Sequence, residues 1–123
     1  MKETSLDLPQ SAASSRLARE FVVSVTALPE DARMAVVVTE LVSNAVIHAR
    51  SRPRLTVGFD GDAVVVQVAD DGPDRPVLQS VDSVETSGRG LALVDKMAES
   101  WGVAPRPEGA GKVVWARVIL GSD

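Results

Sequence analysis

The chain has 123 residues, a net charge of −4, and 45% hydrophobic but only 3% aromatic content. That length allows one domain, 1–123, able to bury roughly two thirds of its unfolded surface in a core of Val, Leu and Ala. The acidic balance argues against direct nucleic-acid binding, the scarcity of aromatics removes any platform for stacking on bases, and the absence of Cys excludes disulfides and thiolate chemistry.

The N-terminal run Met1-Lys-Glu-Thr-Ser-Leu-Asp-Leu8 has no apolar leader-like segment, and no stretch approaches the ~18 apolar residues a bilayer requires. The expectation is a cytoplasmic protein with no membrane partner. A short strand is predicted near 5–8 and a helix over about 11–27, broken by Leu28-Pro29-Glu30. A second helix is predicted over about 31–49, ended by Arg50-Ser-Arg-Pro53.

This second helix is the most informative segment. Glu40 and Asn44 are four residues apart, which on a helix stacks them on one face with an advance of about 6 Å. One is a carboxylate able to take a proton; the other offers an amide oxygen suited to a hard cation such as Mg²⁺. The positions around them are apolar or small (Val36, Val37, Val38, Leu41, Val42, Ala45, Val46, Ile47), which describes a buried helix, so two polar groups at that depth call for partners. An exposed glutamate and a satisfied core amide are the plain alternative. His48 lies one further turn along the same face.

Strands follow near 54–59 and 63–69, joined by the hairpin signal Asp60-Gly61-Asp62. The second ends abruptly at Asp70-Asp71-Gly72-Pro73. A carboxylate at such a strand end can accept a hydrogen bond from an exocyclic amine, and Gly72 lets backbone approach a flat ring; a simple Asp-Gly turn explains the same residues. Residues 71–87 lack periodicity and form a long loop. Then Ser87-Gly-Arg-Gly-Leu91 leads into a helix predicted over about 90–99, with Leu91, Leu93, Val94 and Met97 at helical spacing. Glycines before a helix expose N–H groups at the positive end of its dipole, which suits phosphate, although packing alone also places glycine there. The P-loop and dinucleotide fingerprints are both incomplete. Strands near 101–106 and 111–120 close the chain, giving an α+β two-layer sandwich with helices on one face of a mixed sheet.

In this order, Glu40-Leu-Val-Ser-Asn44-Ala-Val-Ile-His-Ala, Asp70-Asp-Gly72-Pro and Gly88-Arg-Gly90-Leu-Ala resemble the N box and the two glycine boxes of the GHKL ATPase superfamily, which includes gyrase, histidine kinases and mismatch-repair ATPases. Within it the chain looks most like the anti-sigma factor serine/threonine kinases, in the stand-alone form abundant in actinobacteria. The likeness takes in the Leu8-Pro9 opening, Trp101-Gly102 and the closing Gly111-Lys-Val-Val-Trp115.

The resemblance implies a Bergerat-type fold that binds ATP and Mg²⁺. By it Glu40 would be the catalytic base, Asn44 the magnesium ligand, and Asp70 the reader of the adenine amino group with Gly72 close to the base. Gly88, Arg89, Gly90 and Leu91 would fall in the phosphate-binding box, and His48 would be either a packing or capping residue or a phosphate contact. The loop 71–87 would be an ATP lid. The implied partners are an anti-anti-sigma protein of the STAS class and a sigma factor, and a homodimer is compatible with the resemblance. A histidine kinase would need a dimerisation helix pair with a phosphoacceptor, for which the chain has no room. Asp74 stands where the first glycine box usually has a second glycine, and Val113 where relatives often have Thr. Those departures favour the alternative of a nucleotide-responsive protein-binding module with little kinase activity.

Overall fold

The computed structural model describes residues 2–27, 31–47, 52–72, 86–106 and 111–119, with 86–90 as backbone alone. In chain order the elements are β1 (Glu3–Asp7), α1 (Ser14–Thr26), α2 (Ala32–Ile47), β2 (Arg54–Asp60), β3 (Ala63–Asp70), α3 (Thr86–Met97), β4 (Ser100–Pro105) and β5 (Lys112–Ile119). The five strands form one sheet in the order β1-β2-β3-β5-β4, and every neighbouring pair is antiparallel. The sheet is therefore not mixed as expected, because β5 returns from β4 and inserts beside β3 instead of crossing over in parallel.

Strand phase decides which face is covered. Leu55 and Val57 of β2, Val64, Val66 and Val68 of β3, and Val114, Ala116 and Val118 of β5 are all buried. The register aligns them across the sheet, with Leu55 opposite Val68, Val68 opposite Val114 and Val66 opposite Ala116. One face is thus a continuous β-branched surface, and the three helices cover it, α1 over β2, α2 over β3 and β5, and α3 beside β4. On α2 the buried positions Met34, Val37, Val38, Leu41, Val42 and Ala45 recur at helical spacing and fill the middle of the core. Ile47, expected in the buried surround, is instead exposed at the last residue of the helix, past the turn that packs on the sheet.

Turn chemistry follows the sequence closely at the first hairpin. Gly61 has φ of +65° between Asp60 and Ala63, which pair directly. A two-residue loop with positive φ matches the twist of the strands it joins. On the outer face Gly102 lies opposite Trp115, where an added Cβ would come within 2.9 Å of the indole, so the glycine seats the ring. The indole N–H of Trp101 donates to the Asp95 carboxylate at 2.8 Å, tying β4 to α3.

Helix α3 begins at Thr86, four residues before the expected start at 90, so 86 and 87 belong to a helix and not to the loop. Glycine disfavours a helix interior by about 1 kcal/mol relative to alanine, which is why a reading by propensity starts the helix after Gly90. Packing of α3 on α2, with Leu91 and Val94 in the core, outweighs that preference. Residues 73–85 of the expected lid, with Asp74, and His48 lie outside the described residues.

Candidate functional site

Two groups of polar residues stand out on the covered side of the sheet, one on α2 and one at the end of β3. The first is on α2. Its N-terminus is capped by Asp31, whose Oδ1 accepts the backbone N–H of Arg33 at 2.9 Å and of Met34 at 3.1 Å. Helix α1 is bonded to one flank of α2: the Arg19 guanidinium donates to Thr39 Oγ1 at 2.8 Å, and the Ser15 and Ser43 hydroxyls meet at 3.1 Å. Glu40 and Asn44 each follow one of those contact residues, which rotates them about 100° around the helix, away from α1. Both side chains are half-buried. Burial raises the Glu40 carboxyl above its ordinary value, desolvation being the cause. A carboxylate raised in this way is a stronger base toward a hydroxyl.

Among the described residues no three His, Cys, Asp or Glu side chains cluster in a way that could hold a metal. A magnesium ion at Asn44 would therefore take that amide oxygen as its protein ligand and the rest of its shell from phosphate and water. That is the usual manner of Mg²⁺ at a nucleotide.

The second group lies at the end of β3. Asp70 is 1% exposed and sits directly across from Lys112, the first residue of β5, whose side chain is 8% exposed. Oδ1 of Asp70 accepts twice: from the Lys112 ammonium at 3.0 Å and from the Gly72 backbone N–H at 2.8 Å. Oδ2 is buried and has no hydrogen-bond partner among the described residues. A buried carboxylate oxygen without a donor is rare and costly, so this atom is suited to an N–H supplied by a ligand. The exocyclic amine of adenine is such a donor.

Backbone geometry locks this corner. Gly111 has φ of +113°, and a Cβ there would fall 2.1 Å from the Asp70 carbonyl oxygen. Only glycine lets β5 begin in contact with the Asp70–Asp71 backbone. Arg106 pairs with the Asp71 carboxylate, and its backbone N–H donates to the Gly111 carbonyl at 3.3 Å.

A family model for the histidine kinase-like ATPase domain matches residues 7–118, nearly the whole chain. The chain belongs to that family. Its functional class is thereby ATP binding with kinase-like or ATPase chemistry, within the GHKL superfamily. No curated protein matches the chain. Among solved structures it is similar to Acinetobacter baumannii histidine kinase AdeS, at 12% identity and a TM-score of 0.47, covering 99% of this chain and 70% of that one. That likeness is too slight to bear on function.

On this ATPase domain the structure places Glu40 and Asn44 together on one flank of α2, and Asp70 with Gly72 at the end of β3. Backbone 88–90 runs within the first turns of α3, so Gly88 and Gly90 are helical and do not precede the helix. Leu91 is 3% exposed and its side chain belongs to the core. Val113 pairs with Ala69 on the opposite face of the sheet from Asp70, so its replacement of Thr does not alter the surroundings of Oδ2.

Lys112 and Gly111 were legible only as part of a closing strand. A signal for Lys112 was present: it falls in phase with the buried Val114, Ala116 and Val118. A cation in the buried phase of a strand must find an anion. No helix among the described residues is long and apolar enough to cross a membrane.

Proposed function

We propose that this domain is an anti-sigma factor kinase that transfers the γ-phosphoryl group of ATP to a serine or threonine of an anti-anti-sigma (STAS) protein. The observation that carries the nucleotide half of this reading is the buried Asp70 Oδ2 without a donor, at the position the family's first glycine box assigns to the adenine amino group. The transfer half is supported by Glu40, whose carboxyl is raised by burial and which shares a helix flank with Asn44. In this scheme ATP is the phosphoryl donor and Mg²⁺, held by Asn44 and the phosphates, offsets charge on the transferring group. Glu40 accepts the proton of the attacking hydroxyl, and Asp70 orients the base.

Helix α1 offers a surface for the protein partner. Arg16, Arg19, Glu20 and Val23 line one shallow depression on it at helical spacing. Arg19 is already held by Thr39, so the exposed Arg16 is the freer cation of the two. The sigma factor and the STAS protein would compete for such a surface. Asp74, in place of a glycine-box glycine, favours a second reading in which nucleotide binds without useful transfer.

Equilibrium titration with ADP, followed by incubation of the full chain with labelled ATP, Mg²⁺ and STAS proteins from the native cell, separates the readings. Label on a STAS serine or threonine is expected. Replacing Glu40 by Ala should lower that transfer by about 10²–10⁴-fold while leaving nucleotide affinity within about threefold. Retained transfer in Glu40→Ala rejects the base, and nucleotide binding without label on any candidate leaves the binding module.

A further inference from the structure

We infer that Arg106 is a positioning residue for the nucleotide pocket, gripping Asp71 from the outer face of the sheet so that the Asp70–Gly72 turn keeps its place. The inference rests on the adenine-nucleotide reading above and adds to it a residue on the face away from the ligand. Asp70 points to the covered side and Asp71 follows in the outward phase, their side chains being 1% and 70% exposed. The Arg106 guanidinium donates to the Asp71 carboxylate, although the two residues are 35 apart in the chain.

Three strands meet at this clasp. Pro105, Lys112 and Asp70 lie in one row of the register. In the next row the Arg106 N–H donates to the Gly111 carbonyl at 3.3 Å, and a Cβ on Gly111 would lie 3.0 Å from the Asp71 Cα. Gly111 thus sits between Arg106 and Asp71 with no side chain to part them, and the guanidinium bridges over it. The Arg106 side chain is only 26% exposed, so this is a packed grip and not a loose surface pair.

What the grip holds is a turn. The buried Gly72 donates its N–H to Asp70 Oδ1 at 2.8 Å, and Asp71 is the residue between them. That bond is internal to the turn, so it does not stop the turn from tilting as a unit about the end of β3. The hold on Asp71 comes from β4 and does stop it. Tilting would move the Gly72 backbone, which on the adenine reading lies close to the base, and a binding constellation tolerates only about 0.5 Å of misplacement.

The test is a double-mutant cycle read on equilibrium binding of ADP to the full chain. Arg106→Gln and Asp71→Asn should each weaken ADP binding by about three- to tenfold, and the double variant should lose no more than the weaker-binding single. In the nucleotide-free chain, amide exchange at Gly72 should quicken by about tenfold in Arg106→Gln while Val66 and Val114 keep their rates. A clasp that served the fold alone would lower the melting temperature and quicken all three amides together, with ADP affinity within about twofold of the unaltered chain. That result overturns the assignment while leaving the adenine reading intact. Losses that multiply in the double variant overturn it too, because the two residues would then act separately. If Arg106→Gln does not fold, Arg106→Met takes its place with the same outcomes. Failure of the unaltered chain to bind ADP removes the adenine reading itself, and the inference with it.

Discussion

The two halves of the candidate site are built in opposite ways. At the end of β3, Asp70 is tied to Lys112 and Gly72, and the neighbouring backbone is pressed against Gly111. On α2, Glu40 and Asn44 are half-buried, and Glu40 carries a desolvation penalty that no cation among the described residues relieves. A base pocket gains from rigidity, since recognition depends on one acceptor in one place. A phosphate and metal end gains from polar groups left uncommitted until the charged ligand arrives. The contrast teaches that, among the described residues, it is the β3 half of the site that protein contacts preorganise.

Substitutions can break the contrast, and the largest effects belong to the wired half. Lys112→Met leaves the Asp70 carboxylate buried without its cation, and urea denaturation should show a loss of about 3–5 kcal/mol. Gly111→Ala forces a methyl group into the Asp70 carbonyl at a backbone angle that favours glycine. A loss of at least about 2 kcal/mol is expected by the same measurement, and stability equal to the parent would mean that this corner gives way easily.

The α2 half should behave differently. Glu40→Gln removes a carboxylate that burial penalises. The folded chain holds the Glu40 proton more tightly than the unfolded chain does, so ionising this group costs stability as pH rises through its raised value. The variant should therefore be more stable than the parent at pH near 7, with the gain vanishing below about pH 4, where the carboxyl is protonated in both states. Thermal melts at the two pH values check the sign; a gain at the acid end would contradict it. Smallest of all, Asn44→Ala should change stability in the absence of nucleotide by no more than about 0.5 kcal/mol, while weakening Mg²⁺-dependent nucleotide binding. Were Asn44→Ala as costly to folding as Lys112→Met, the two halves would not differ in kind.

Local pattern carried much of this architecture. The spacing of Met34, Val37, Val38, Leu41, Val42 and Ala45 marks both the helix and its buried face. The alternation of Val64, Val66 and Val68 with Val65, Gln67 and Ala69 marks the strand and its covered side. Asp60-Gly61-Asp62 marks the hairpin between β2 and β3. Candidate residues Glu40, Asn44 and Asp70 were visible for the same reason, since each interrupts a regular pattern with a group that needs a partner, and Gly72 by the turn signal it belongs to. Leu91 was equally visible by its spacing, but its side chain serves the core.

Chain order and periodicity by themselves therefore determined the helices, the strands, the two-layer class and three of the polar positions, because those properties depend on neighbours a few residues away. Tertiary structure alone decided that β5 lies between β3 and β4, that the sheet is antiparallel throughout, and that α3 starts ahead of its glycines. It also decided that Lys112 meets Asp70 across 42 residues of chain. Periodicity tells which side of a strand is buried, but not which strand will lie beside it. That choice is made by long-range packing, and here it placed a lysine where the buried aspartate needed one.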